Sequence, residues 1–168
     1  MNIEIYPLKK ILVDQVAICL GMEKSIVDAA IGNGQLIGNR CYYFNNEMAI
    51  DYNDNKVEFI EFLGGIDGML KPTIYGISAF EAQANDLFEV LKKQNNGMVR
   101  DHENGYSYQF ENVSVGVYRE AVPQEVEEMI EEAASFGNPM SDDEIRYEMK
   151  RANHWATSGV GVAGYYQR

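Results

Sequence analysis

The sequence predicts an α+β fold: two antiparallel meanders with packed helices, plus C-terminal helices and a closing strand. Three observations carry that prediction. Tyr42–Tyr52 (YYFNNEMAIDY) lines up without a gap on Tyr108–Tyr118 (YQFENVSVGVY), and Tyr, Phe, Asn and Tyr coincide at four of eleven positions. Strand-like segments of alternating polarity, bounded by Asn, Asp and Gly, cluster around both copies. Segments of helical periodicity lie between and after them.

Asn2–Tyr6 reads as a first strand ended by Pro7, and residues 8–20 suit either a helix or a short strand. Met22, Ile26, Val27, Ala30 and Ile31 recur at helical spacing, and Gly32 closes that helix. Arg40–Phe44, Glu47–Tyr52 and Lys56–Leu63 form a meander, with turns at Asn45-Asn46 and Asn53-Asp54-Asn55. Met48, Ile50 and Tyr52 share the core face of the middle strand, and Glu47, Ala49 and Asp51 share the wet one. Gly64-Gly65 and Gly68 break the chain before a strand at Thr73–Ile77.

Ser78-Ala79-Phe80-Glu81 has the spacing of a capping box, so a helix is expected to open there, with Phe80, Ala84, Leu87, Phe88 and Leu91 as its apolar stripe. The turn Arg100–Gly105 leads into the second hairpin, Tyr106–Phe110 and Val113–Tyr118, whose turn is expected at Glu111-Asn112. Pro123 starts an acidic helix with Val126, Met129, Ile130, Ala133 and Ala134 inward. Ser141-Asp142-Asp143-Glu144 is a further capping box, opening a helix with Ile145, Met149 and Ala152 on one face. Ala156–Tyr166 reads as a glycine-rich closing strand. One compact unit therefore divides into a first βαβββ repeat (1–70), a second, degenerate βαββ repeat (71–120) and a C-terminal extension (121–168).

Fourteen basic residues against 26 acidic ones leave a net charge of −12. That balance disfavours nucleic acid, whose binding relies on Lys and Arg displacing counterions, and favours a basic protein partner. Cys19 and Cys41 are the only cysteines, too few for a disulfide framework, and they suit free thiols in a reducing compartment. No apolar run reaches membrane-spanning length, and Asp14-Gln15 interrupt the only stretch resembling a signal peptide, so a cytoplasmic location is expected.

Chemical motifs are sparse. Gly159–Gly164 matches a dinucleotide fingerprint, but too few residues follow for the helix and acidic residue that chemistry needs; glycines where the strand crosses another backbone are the better reading. Asp51, Asn53 and Asn55 mimic the start of a calcium loop, yet Lys56 and Phe62 occupy its glycine and glutamate positions. Two isolated histidines, His102 and His154, define no zinc site, and no nucleophile elbow or phosphate loop is present. Neither an enzyme nor a cofactor is expected. Trp155, the only tryptophan, is expected in packing beside His154.

Leu20-Gly21-Met22, Val27 and Ile31-Gly32 together resemble the Leu-Gly-Met…Val…Leu-Gly signature of the β-lactamase-inhibitor-protein repeat and of related small lipoproteins of outer-membrane assembly. The resemblance covers residues 3–63, with a degenerate copy at 73–119 that lacks Leu-Gly-Met. Unlike those lipoproteins, the chain has no recognisable signal peptide or lipidation cysteine. Combined with acidity and small size, the chain resembles immunity proteins of bacterial polymorphic-toxin and contact-dependent-inhibition systems. That resemblance implies a protein that binds a cognate toxin, expected to be a basic nuclease, and occludes its active site. The expected contact residues are Glu47, Asp51, Asp54 and Glu58 on the meander, with Tyr43 on its wet face; the acidic helix Glu125–Glu132 is the other candidate. A ligand pocket near His154 and Trp155, and a purely structural repeat, are the alternatives.

Overall fold

The computed structural model describes all 168 residues. Strand β1 (Asn2–Tyr6) is followed by β2 (Lys10–Val13) and β3 (Val16–Cys19), which resolves the ambiguous segment as a hairpin. Val13 pairs with Val16 across Asp14-Gln15, both at positive φ, as two-residue hairpins require. Helix α1 (Lys24–Ile31) leads to the meander β4 (Gln35–Ile37), β5 (Arg40–Tyr43), β6 (Met48–Asn53) and β7 (Lys56–Phe62). A 3₁₀ turn at Gly65–Asp67 precedes β8 (Lys71–Ile74) and β9 (Ile77–Ser78). Helix α2 (Ala84–Asn95), β10 (Val99–Asp101), β11 (Ser107–Phe110) and β12 (Val115–Tyr118) follow. Helices α3 (Pro123–Ser135) and α4 (Asp142–Ala152), strand β13 (Thr157–Gly161) and a 3₁₀ turn at Tyr165–Gln167 complete the chain.

These strands make two sheets. The smaller runs β3-β2-β1-β8-β9, with β1 and β8 parallel at its centre. The larger runs β10-β11-β12-β13-β7-β6-β5-β4 and is antiparallel throughout. It is two four-stranded meanders joined edge to edge, β13 completing the second and pairing with β7 of the first (Val160 opposite Ile60). The inner faces of both sheets, with α1 and α2, share one core of 27 buried side chains.

Both halves contain the expected hairpins, but the gap-free alignment misplaces their register by one residue. Tyr43 pairs with Met48 and Phe110 with Val115, so each hairpin has a four-residue loop, Phe44–Glu47 or Glu111–Ser114, rather than a two-residue turn. The structural equivalent of Tyr43 is therefore Phe110, not Gln109. The coincident residues mark hairpin chemistry more than register.

Other boundaries move for physical reasons. The Ser78 hydroxyl accepts from the Glu81 amide at 3.1 Å, yet this closes a turn, and α2 begins only at Ala84. Phe80 thus fills the core from the turn while Ala84, Leu87 and Leu91 do so from the helix. The helix end is held by Asn95, 2% exposed, whose Oδ1 accepts from the amides of Asn112 (2.8 Å) and Val113 (3.2 Å). The expected polar turn Arg100–Gly105 contributes its first residues to edge strand β10. In α3 only Val126 is buried, and Met129 and Ala134 face outward. The Ser141 capping box forms in full: the hydroxyl accepts from the Glu144 amide at 3.2 Å, and the Ser141 amide donates back to Glu144 at 2.8 Å.

The closing strand is the largest topological surprise, being central rather than peripheral. Its glycines face side chains, not a backbone. A Cβ on Gly159 would sit 2.2 Å from the Phe59 ring, and one on Gly161 would sit 2.6 Å from Cβ of Tyr165. No helix is long and apolar enough to cross a membrane.

Candidate functional site

Helices α3 and α4 form a hairpin inserted between β12 and β13, outside the main core. Their own small core is Ala121, Val126 and Ala152, with Ile130 and Met149 packed against it. So short a buried stripe leaves most of α3 to solvent. Glu125, Glu127, Glu128, Glu131 and Glu132 are all exposed, and none is in an ion pair. Glu125 accepts a hydrogen bond from the Tyr106 hydroxyl, which holds that phenol above its ordinary pKa. Among these carboxylates stand Met129, 40% exposed, and Phe136, 80% exposed. Glu125 and Glu132, four residues before and three after Met129, share its face of the helix, and Phe136 follows the last helical residue.

The inner side of α4 borders a cleft of about 200 Å³. One wall is Leu63–Asp67, the other is Tyr147, Lys150, Arg151 and His154, and Trp155 and Ala156 lie at the base. Trp155 is buried as expected; its indole N–H donates to the Ala84 carbonyl at 3.0 Å, and the Arg119 guanidinium lies 5.1 Å from its ring. Lys150 reaches across to Asp67 at 2.8 Å, which holds that carboxyl below its usual pKa. Arg151 contacts Glu120 at 3.0 Å and Glu148 at 2.9 Å.

The expected contact residues do not form one surface. Tyr43 is corrected from the wet face to the core: it is 4% exposed and donates to Asp28 at 2.9 Å. Alternation along β5 decides its direction: Tyr43 shares the inner face with Cys41 and pairs with the buried Met48, and the Asp28 carboxylate on α1 satisfies its hydroxyl. Glu47 accepts from the amides of Met69 (3.0 Å) and Leu70 (2.8 Å) and so ties the 64–70 loop to the first hairpin. Asp51 is on the outer face but is clamped by Arg40 at 2.6 and 2.8 Å, with Glu61 on the same guanidinium at 2.8 Å. Asp54 is exposed at the opposite end of β6 from Glu47, at positive φ in the turn to β7. Glu58 pairs with Arg168 at 2.5 Å.

Part of the outer face is covered by the C-terminal tyrosines. Phe59 stacks on Tyr165 with centroids 4.5 Å apart, and Tyr166 packs over Gly116. No three His, Cys, Asp or Glu side chains converge as a metal site, and Asp54-Asn55 form a two-residue turn between Asn53 and Lys56. Sequence reasoning missed Met129 and Phe136 as surface residues. The available signal was that α3 has too many apolar positions for a helix with a single partner helix.

No family model matches the chain, and no curated protein or solved structure matches it.

Proposed function

We propose that this chain is an immunity-type protein that neutralises a cognate bacterial toxin by binding it and occluding its active site, with the exposed face of α3 as the docking surface. One observation carries the reading: on α3 the exposed Met129 shares its face with Glu125 and Glu132, neither of them in an ion pair, and the exposed Phe136 follows directly at the helix end. Apolar anchors inside a charged rim are what a protein interface needs, because the anchors hold the complex and the rim steers its partner. The net charge of −12 selects a basic partner, a description that suits a nuclease domain. The Leu20-Gly21-Met22 element, which resembles that of inhibitor-type repeats, supports the same reading.

The test is binding kinetics against a purified basic toxin domain encoded beside this chain's gene. Glu128→Lys with Glu132→Lys should slow association about tenfold or more at low salt, an effect that shrinks as salt rises. Phe136→Ala should instead accelerate dissociation. Reversal of Asp51, already clamped by Arg40, should leave association unchanged. Normal kinetics in the α3 variants would remove this surface from the proposal.

A further inference from the structure

We infer that the cleft between the 64–67 loop and α4 is a binding site for a small oxyanion, of the phosphate or sulfate class, independent of the α3 docking surface. The first ground is charge. In a chain with 14 basic residues against 26 acidic ones, Lys150 and Arg151 converge with the His154 ring on one cleft of about 200 Å³, whose acidic lining is Asp67 and Glu120. Cations in the last turn of a helix are expected from its dipole, but that preference does not require them to share a concavity.

The second ground is how the cations are held. The Lys150–Asp67 and Arg151–Glu120 contacts are surface pairs: Asp67 is 84% exposed and Glu120 52% exposed at their side chains. Such pairs contribute little and exchange readily, so an incoming anion can take the place of either carboxylate. Glu148, on the other side of Arg151, is 22% exposed and keeps that guanidinium oriented. His154 adds a directed group. Its Nδ1 lies 2.8 Å from the Lys150 carbonyl, which can only accept, so Nδ1 carries hydrogen and Nε2 is left free.

The third ground is the facing wall. Gly64 has helical dihedrals (φ −76°, ψ −19°) and Gly65 a φ of 56°, a succession that turns consecutive amides toward one side. The Gly64 and Gly65 amides donate to no group of the protein. A Cβ on Gly64 would lie 2.8 Å from Glu47 Oε2 and 3.0 Å from the Gly68 Cα, and the positive φ of Gly65 favours glycine there. Glu47 fixes the loop by accepting from the Met69 and Leu70 amides. Cations on one side and unengaged amides on the other are the complement of a small anion with several oxygens.

Titration of the isotope-labelled full chain with inorganic phosphate, and separately with sulfate, at constant ionic strength tests the inference by amide chemical shifts. The Gly64–Asp67 amides and the His154 ring should shift saturably, with acetate and chloride far weaker. Lys150→Ala should weaken binding about tenfold, as expected for loss of a charge-assisted contact. Asp67→Asn should strengthen it by removing the competing carboxylate. Both side chains are exposed, and unchanged spectra elsewhere verify the fold. Diffuse shifts that follow ionic strength alone, or equal responses in Lys150→Ala and the unmodified protein, would overturn the site.

Discussion

Lys24, Asp28, Tyr43 and Tyr52 form a directional chain beneath α1. Tyr43 has one hydroxyl hydrogen and gives it to Asp28 at 2.9 Å, so Tyr52, 2.8 Å away, must donate to Tyr43. Lys24 closes the chain at 2.5 Å from the other Asp28 oxygen. Burial raises both phenols, Tyr52 to about 12 and Tyr43 further, with Cys41, Tyr52 and Asp28 around its hydroxyl adding to the effect of burial. In the unfolded chain tyrosine ionises near 10, so between about pH 10 and 12 the native state binds more protons than the unfolded one. Stability from these groups is therefore complete below about pH 10 and lost as pH rises through 12. Phenolate absorbance should rise in two stages, exposed tyrosines first and the buried pair only together with loss of near-ultraviolet circular dichroism. Full ionisation with an intact dichroism spectrum would show that the pair is not held this way. Nothing in the local sequence reveals the chain, because its members are joined only when α1 lies across the meander.

At the scale of elements, the sequence is most legible where the determinants are local. The Ser141 capping box, Pro123 at the head of α3 and the Asp54-Asn55 turn each depend on a few adjacent residues, and each forms. Ser78–Glu81 carries the same box signal and makes only a turn, since the Phe80 side chain is drawn into the core and holds the backbone away from helix. Strand faces were legible for Met48, Ile50 and Tyr52; Tyr43 follows the same alternation once the buried Cys41 is taken to share its face, whereas Ala49, expected on the wet face, is buried. Of the candidate site, His154 and Trp155 were recognisable as the sole such pair in the chain. The Gly64-Gly65 wall facing them lies 90 residues away and had no signal connecting it.

Strand β13 shows how glycine spacing encodes a surface instead of a ligand loop. Its Gly159 lies under Phe59, and the Phe59–Tyr165 stack covers it. Gly159→Ala should cost about 1–3 kcal/mol by overpacking, measured by urea unfolding. Adding Phe59→Ala should recover part of that loss, since the two changes share one contact. Strict additivity of the two costs would mean that the ring is not what excludes a side chain.

For the whole molecule, the last strand in sequence is the keystone of the larger sheet. Strand β13 alone joins β7 of the first meander to β12 of the second, pairing Phe62 with Ser158 on one side and Tyr118 with Thr157 on the other. The helical hairpin α3–α4 is thereby held at both ends by the sheet, which keeps its exposed face and the Lys150–His154 turn in fixed positions. Joining distant segments also delays closure, since contacts this far apart in sequence bear the full loop entropy before any stabilisation follows. A chain ending at Ala156 should therefore lose its cooperative unfolding transition, because the two meanders no longer share a sheet. A chain ending at Gly164 keeps β13 and loses the tyrosine cover over Phe59 and Gly116 together with the Arg168–Glu58 pair, so it should unfold cooperatively at a lower temperature. Calorimetry distinguishes the two outcomes. A single sharp transition in the chain ending at Ala156 would show that the smaller sheet, through the parallel β1–β8 pair, suffices to hold the halves together.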